Sequence, residues 1–144
     1  FQKEDNQISH LKKIEKEIVW LINQELKGFS PKRWLRAYFA WGVLWFLKTG
    51  QRILPDYSGF KTLFIDPFGY IYPSDVWDLK LGKIQEIKNW SKFLKESQKK
   101  IWQINRWAPN SWMICTARQA IKKHWLKAGW WILRNKLYRK IISR

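Results

Sequence analysis

The stretch Lys61-Thr62-Leu63-Phe64-Ile65-Asp66-Pro67-Phe68-Gly69-Tyr70-Ile71-Tyr72 decides the middle of the chain. Two short runs rich in β-branched and aromatic residues, 61–65 and 70–72, flank Asp66-Pro67-Phe68-Gly69. Asp in the first position, Pro in the second and Gly in the fourth suit a type I turn, because Asp accepts hydrogen bonds from its own loop and Pro presets φ. The segment predicts a β-hairpin, with Asp66 a turn residue rather than a chemical one.

Working outward, helical patterns lie on both sides. Upstream, Ile8, Leu11, Ile14, Ile18, Ile22 and Leu26 recur at spacings of three and four among Lys and Glu, which predicts an amphipathic helix ended by Gly28. Ser30-Pro31 predicts a restart with an N-cap and a first-turn proline. This second helix runs through Trp34, Tyr38, Trp41 and Trp45 to Thr49, with Gly50 after it, and is apolar around most of its girth, predicting burial between layers. Downstream, residues 73–83 read as an irregular loop. A helix over 87–101 follows, with Trp90, Phe93, Leu94 and Ile101 as its apolar stripe. Residues 105–110 break it around Pro109. A last helix begins near Ser111 or Thr116, with Gly129 as its kink point. The expected fold class is α+β, mostly helical with one central β-hairpin and an irregular loop pocket. The expected divisions are an N-terminal helical pair over 1–50, a hairpin region over 51–120 and a basic C-terminal helix over 121–144.

Composition bounds the chemistry. In 144 residues there are 28 Lys and Arg against 11 Asp and Glu, a formal net charge of +17, and 12 Trp. All the acids lie at or before Glu96, while the last 48 residues hold twelve Lys or Arg. Such a surface attracts polyanions and anionic membranes. The single cysteine, Cys115, excludes a disulfide framework within the chain and any zinc or iron–sulfur site built from its own thiolates alone. The first residues are polar and mixed in charge, unlike a signal peptide, and the expected location is cytoplasmic. The missing initiator Met points to a fragment or a processed chain. The most apolar stretch, 35–47, is well short of the roughly twenty residues that span a bilayer. No Gly-x-Gly phosphate loop and no Gly-x-Ser-x-Gly elbow is present. His10 and His124 have no partner at metal-ligand spacing and read as solvated groups. Asp75 and Asp78 read as bracing the loop after the hairpin.

The string from Tyr57 to Asp75 resembles the auxiliary-cluster region, the SPASM or twitch domain, of radical S-adenosylmethionine (radical SAM) enzymes. In that family a cysteine precedes the hairpin, the turn reads Asp-Pro-x-Gly, and a second cysteine follows that Gly after four residues, often as Tyr-Pro-Cys. Here Tyr72-Pro73-Ser74 stands in that place, and Leu81-Gly82-Lys83-Ile84 resembles the family's Leu-Gly-Asn-Ile. Ser111-Trp112-Met113-Ile114-Cys115 resembles the downstream Cys-Trp-x-x-Cys segment at the head of a helix. The resemblance covers roughly residues 50–120. It implies vestigial cluster positions at Ser74, Ser111 and Cys115, with Asp56 in the remaining place and Cys115 the one metal ligand left.

Relatives that keep the cysteines carry a 4Fe-4S cluster near the substrate, often in peptide modification. For this chain the resemblance implies no cofactor, an upstream radical SAM barrel as partner, and a peptide or small-molecule substrate. The family's N-terminal barrel with its Cys-x3-Cys-x2-Cys triad is absent from these residues, so the chain alone is expected to be inactive. Its role would be structural or substrate-contacting.

Cys115 reads on its residues first as a small buried side chain near a helix start. A remnant ligand and a reactive thiol are the sharper alternatives. In the C-terminal helix Arg118, Lys122, Lys123, Lys127, Arg134, Lys136, Arg139 and Lys140 alternate with Trp125, Trp130, Trp131, Leu133, Leu137 and Ile141. That pattern suits packing on the core or on a missing barrel, a nucleic acid, or an anionic membrane surface.

Overall fold

The computed structural model describes residues 10–104 and 111–137. Five α-helices dominate these residues and a small three-stranded antiparallel sheet completes them, so the fold is helix-rich α+β as the sequence predicts. The chain forms two compact units, one of residues up to Ile53 with those from Trp125 on, the other Leu54–His124. Ile8 and the break around Pro109 lie outside the described residues.

The first unit is a three-helix assembly of α1 (Leu11–Lys27), α2 (Pro31–Thr49) and α5 (Trp125–Leu137). α1 buries Ile22 and Leu26 and stops at Gly28. Its end is stitched from outside, because the last carbonyls of a helix have no partner within it. Arg33 Nη2 donates to Gln24 O at 2.7 Å, Arg33 Nε to Glu25 Oε2 at 3.0 Å, and Trp34 Nε1 to Gly28 O at 2.6 Å. Lys136 Nζ of α5 reaches the same Gly28 carbonyl at 3.0 Å. Glu15 and Lys48 form an ion pair that joins α1 to α2.

Pro31 opens α2 as predicted, but the Ser30 side chain makes no capping bond. The N–H of Gly50 closes the helix on Phe46 O at 2.8 Å. α2 is not enclosed on all sides. Ala37, Tyr38, Ala40, Gly42 and Leu44 are buried while Leu35 and Trp45 stay exposed, so its apolar girth exceeds what α1 and α5 cover. The centre of this unit is aromatic: Trp131 of α5 stacks on Trp41, 5.0 Å between centroids, and meets Tyr38 edge-on at 5.4 Å.

In the second unit β1 (Phe64–Ile65) and β2 (Tyr70–Tyr72) form the expected hairpin, in the register Phe64↔Tyr72 and Ile65↔Ile71. Gly69 N donates to Asp66 O at 3.0 Å, and Gly69 adopts a φ of +82°, which a side chain would resist. The loop after the hairpin is not wholly irregular. Gly82–Lys83 forms β3 and pairs antiparallel with β2. Trp77 is buried, and Asp75 and Asp78 are exposed.

A 3-10 turn over Ile84–Glu86 takes the residues just before the expected third helix, so α3 runs Trp90–Ile104. Asn89 caps it, its Oδ1 accepting Lys92 N at 3.0 Å. Ser97 and Ile101 of α3 are buried and Phe93 and Leu94 half-buried, while Trp90 is exposed. The basic C-terminal helix is two helices: α4 is Ile114–Lys123, and the break before α5 falls at His124. Gly129 sits inside α5, which runs unbroken through it.

Candidate functional site

All four positions implicated by the resemblance belong to the hairpin unit. Asp56 precedes the hairpin in the chain and is already committed locally: its Oδ1 accepts Ser58 N at 2.9 Å and Ser58 Oγ at 2.7 Å. Those bonds fold residues 56–62 into a tight turn, in which Gly59 N donates to Thr62 O at 2.7 Å and Lys61 N to Tyr57 O at 2.9 Å. Gly59 is buried with a φ of +78°, against Ile101 and Pro73.

Ser74 follows β2 directly after Pro73, and both are buried. The hairpin carries them inward because Ile71, opposite Ile65 and Gly82, is fully buried and anchors the centre of the sheet. Ser111 lies three residues before α4, and its Oγ is also buried. Cys115 is different, for it is exposed. The register of α4 explains why the expectation of a buried thiol fails. Thr116, Ala117, Ala120 and Ile121 take the inner face, which turns Ile114, Cys115 and Arg118 outward. The structure thus buries Ser74 and the Oγ of the half-buried Ser111, and leaves Cys115 at the surface.

The residues do not fit a four-iron cluster. Such a cluster wants four ligands, ordinarily thiolates. This set supplies one surface thiol, two neutral hydroxyls and a carboxylate that already accepts two hydrogen bonds. Among the described residues no group of three or more His, Cys, Asp or Glu is placed to hold a metal ion.

Two features escape a reading of the sequence. Tyr57 Oη and His124 Nε2 are 2.8 Å apart and their rings stack at 6.1 Å, with Lys123 Nζ 4.5 Å from the Tyr57 ring. His124 is therefore half-buried and bonded, not solvated, whereas His10 is exposed as expected. The pair ties the turn before the hairpin to the C-terminal end of α4, about 13 Å along the helix from Cys115. The second feature is the support of the hairpin turn. Asp66 Oδ1 accepts Phe68 N and Tyr70 N, each at 2.9 Å, and Tyr72 Oη donates to Asp66 Oδ2 at 3.1 Å. Partial desolvation, then that bond and the Asp66 charge, push the Tyr72 phenol above its ordinary range.

Compared with known proteins, the chain matches no family model, no curated protein and no solved structure. Among the described residues no helix is long and apolar enough to cross a membrane.

Proposed function

We propose that this chain is a degenerate auxiliary-cluster domain of the SPASM/twitch kind, acting in the cytoplasm as the C-terminal part of a radical SAM protein. Its role is architectural: closing an upstream barrel and contacting a peptide or small-molecule substrate, with no cluster of its own. One observation carries the reading. Serine is the closest steric replacement for cysteine, and Ser74 is buried straight after the hairpin while the side-chain oxygen of Ser111 is buried just before α4. A surface serine needs no ancestor of this kind, whereas two serines so placed at these points of the motif suit a pocket that once held sulfur ligands.

The test is iron and acid-labile sulfide per chain after anaerobic reconstitution, measured on the chain and on a Ser74→Cys/Ser111→Cys variant. The expected result is near-stoichiometric cluster in the variant and none in the parent, with matching far-UV circular dichroism showing that both are folded. Iron uptake by neither overturns the reading.

A further inference from the structure

The first unit presents an apolar stripe that none of its helices covers. On α5, Leu126, Trp130, Leu133 and Leu137 recur at intervals of four, three and four, so they share one face. They are 67%, 69%, 51% and 69% exposed. The opposite face carries Ala128, Ile132 and Asn135, all buried. The stripe is therefore no by-product of packing. Exposed Lys127 and Arg134, seven residues apart, line one margin, and Trp125 stands exposed at the start of the helix.

We infer that this face of α5 seats the protein on an anionic lipid surface, with the Leu and Trp side chains at the acyl boundary and Lys127 and Arg134 among the headgroups. The chemistry selects this occupant. α5 holds no acidic residue, and the sequence beyond it adds Arg139, Lys140 and Arg144 without one. Two copies joined stripe to stripe would set Lys127 and Arg134 of each against a helix with no carboxylate to answer them, on chains of net charge +17. A nucleic acid would answer the charge but leaves three leucines with nothing to bury against, since bases stack on aromatic rings. An anionic bilayer supplies both an apolar layer and negative charge, and tryptophan favours that boundary. The 13 described residues of α5 extend about 20 Å against the roughly 30 Å hydrocarbon core, and with Lys127, Arg134 and Lys136 along them they suit a helix lying on the surface. The inference rests on α5 alone and stands or falls independently of the cluster reading.

The test is co-sedimentation of the full chain with phosphatidylcholine vesicles, with and without phosphatidylserine, for the parent and for Leu126→Gln/Trp130→Gln/Leu133→Gln. The three side chains are exposed, so the variant should keep its fold, which circular dichroism checks; Arg134→Gln serves as a milder second variant. Expected are binding at least about tenfold tighter to the serine-containing vesicles, a loss of about tenfold or more in the triple variant, and a partial loss in Arg134→Gln. Equal binding by parent and triple variant would mean that net charge alone holds the protein, and overturns the inference. So does a parent that ignores vesicles, whether it sediments as a dimer that the triple variant dissociates, binds an oligonucleotide, or stays monomeric and unbound.

Discussion

Tyr38 illustrates what a single side chain decides. It is fully buried, and its hydroxyl has no hydrogen-bond partner among the described residues. A hydroxyl left so costs roughly 1–3 kcal/mol. Tyr38→Phe keeps the ring against Trp41 and Trp131 and should therefore raise stability by about 1 kcal/mol in urea denaturation. Burial also pushes the Tyr38 phenol from 10.0 up to about 12. Across that window the unfolded chain has released a proton that the folded chain still holds. Stability is thus whole below the unfolded value and falls as pH rises, by at most about 1.4 kcal/mol per pH unit from this group. The advantage of Tyr38→Phe should be constant below the window and widen within it, which denaturation at about pH 8 and about pH 11 measures. Tyr57 is the opposite case, because its hydroxyl is paired with His124. Tyr57→Phe should cost about 1 kcal/mol, and an unchanged midpoint would show that the bond contributes nothing.

Among the elements, the hairpin was legible because its determinants are local: Asp66, Pro67 and Gly69 act on neighbouring backbone atoms. Asp66→Ala removes the acceptor for two N–H groups and one phenol, and should cost about 2 kcal/mol. It should also bring the Tyr72 phenol down toward its ordinary range, which ultraviolet titration reads. Asp66→Asn keeps a carbonyl for the backbone donors and should lose less. Gly59→Ala faces both a positive φ and the Ile101 side chain, so about 2–4 kcal/mol is expected from strain and overpacking together. β3 was not legible, since two residues with no alternation of their own become a strand only because β2 offers them an edge. The break between α4 and α5 misled for a similar reason. Gly129 carries the local signal for a kink, but the helix ends at His124, whose ring is held by Tyr57 from 67 positions away. For the candidate site, motif order was readable while the direction of each side chain was not. The outward turn of Cys115 follows from which residues of α4 the core accepts.

At the scale of the whole molecule, bulk charge and aromatic content were plain in the sequence, but the partners of the aromatics were not. Trp130 and Trp131 are adjacent in the chain and have the same intrinsic propensity. The difference between them lies in α1 and α2, far upstream, against which α5 packs. Trp131 stacks on Trp41 and meets Tyr38, closing the three-helix unit, whereas Trp130 is 69% exposed. Trp131→Ala should therefore cost about 3 kcal/mol, since it opens a cavity beside two large rings that cannot collapse into it. Trp130→Ala should stay within about 0.5 kcal/mol, as expected of a surface substitution. Urea denaturation of the two variants, followed by helical circular dichroism, separates them. Equal shifts would mean that α5 does not close the unit through Trp131, and the packing described for all three helices would be wrong.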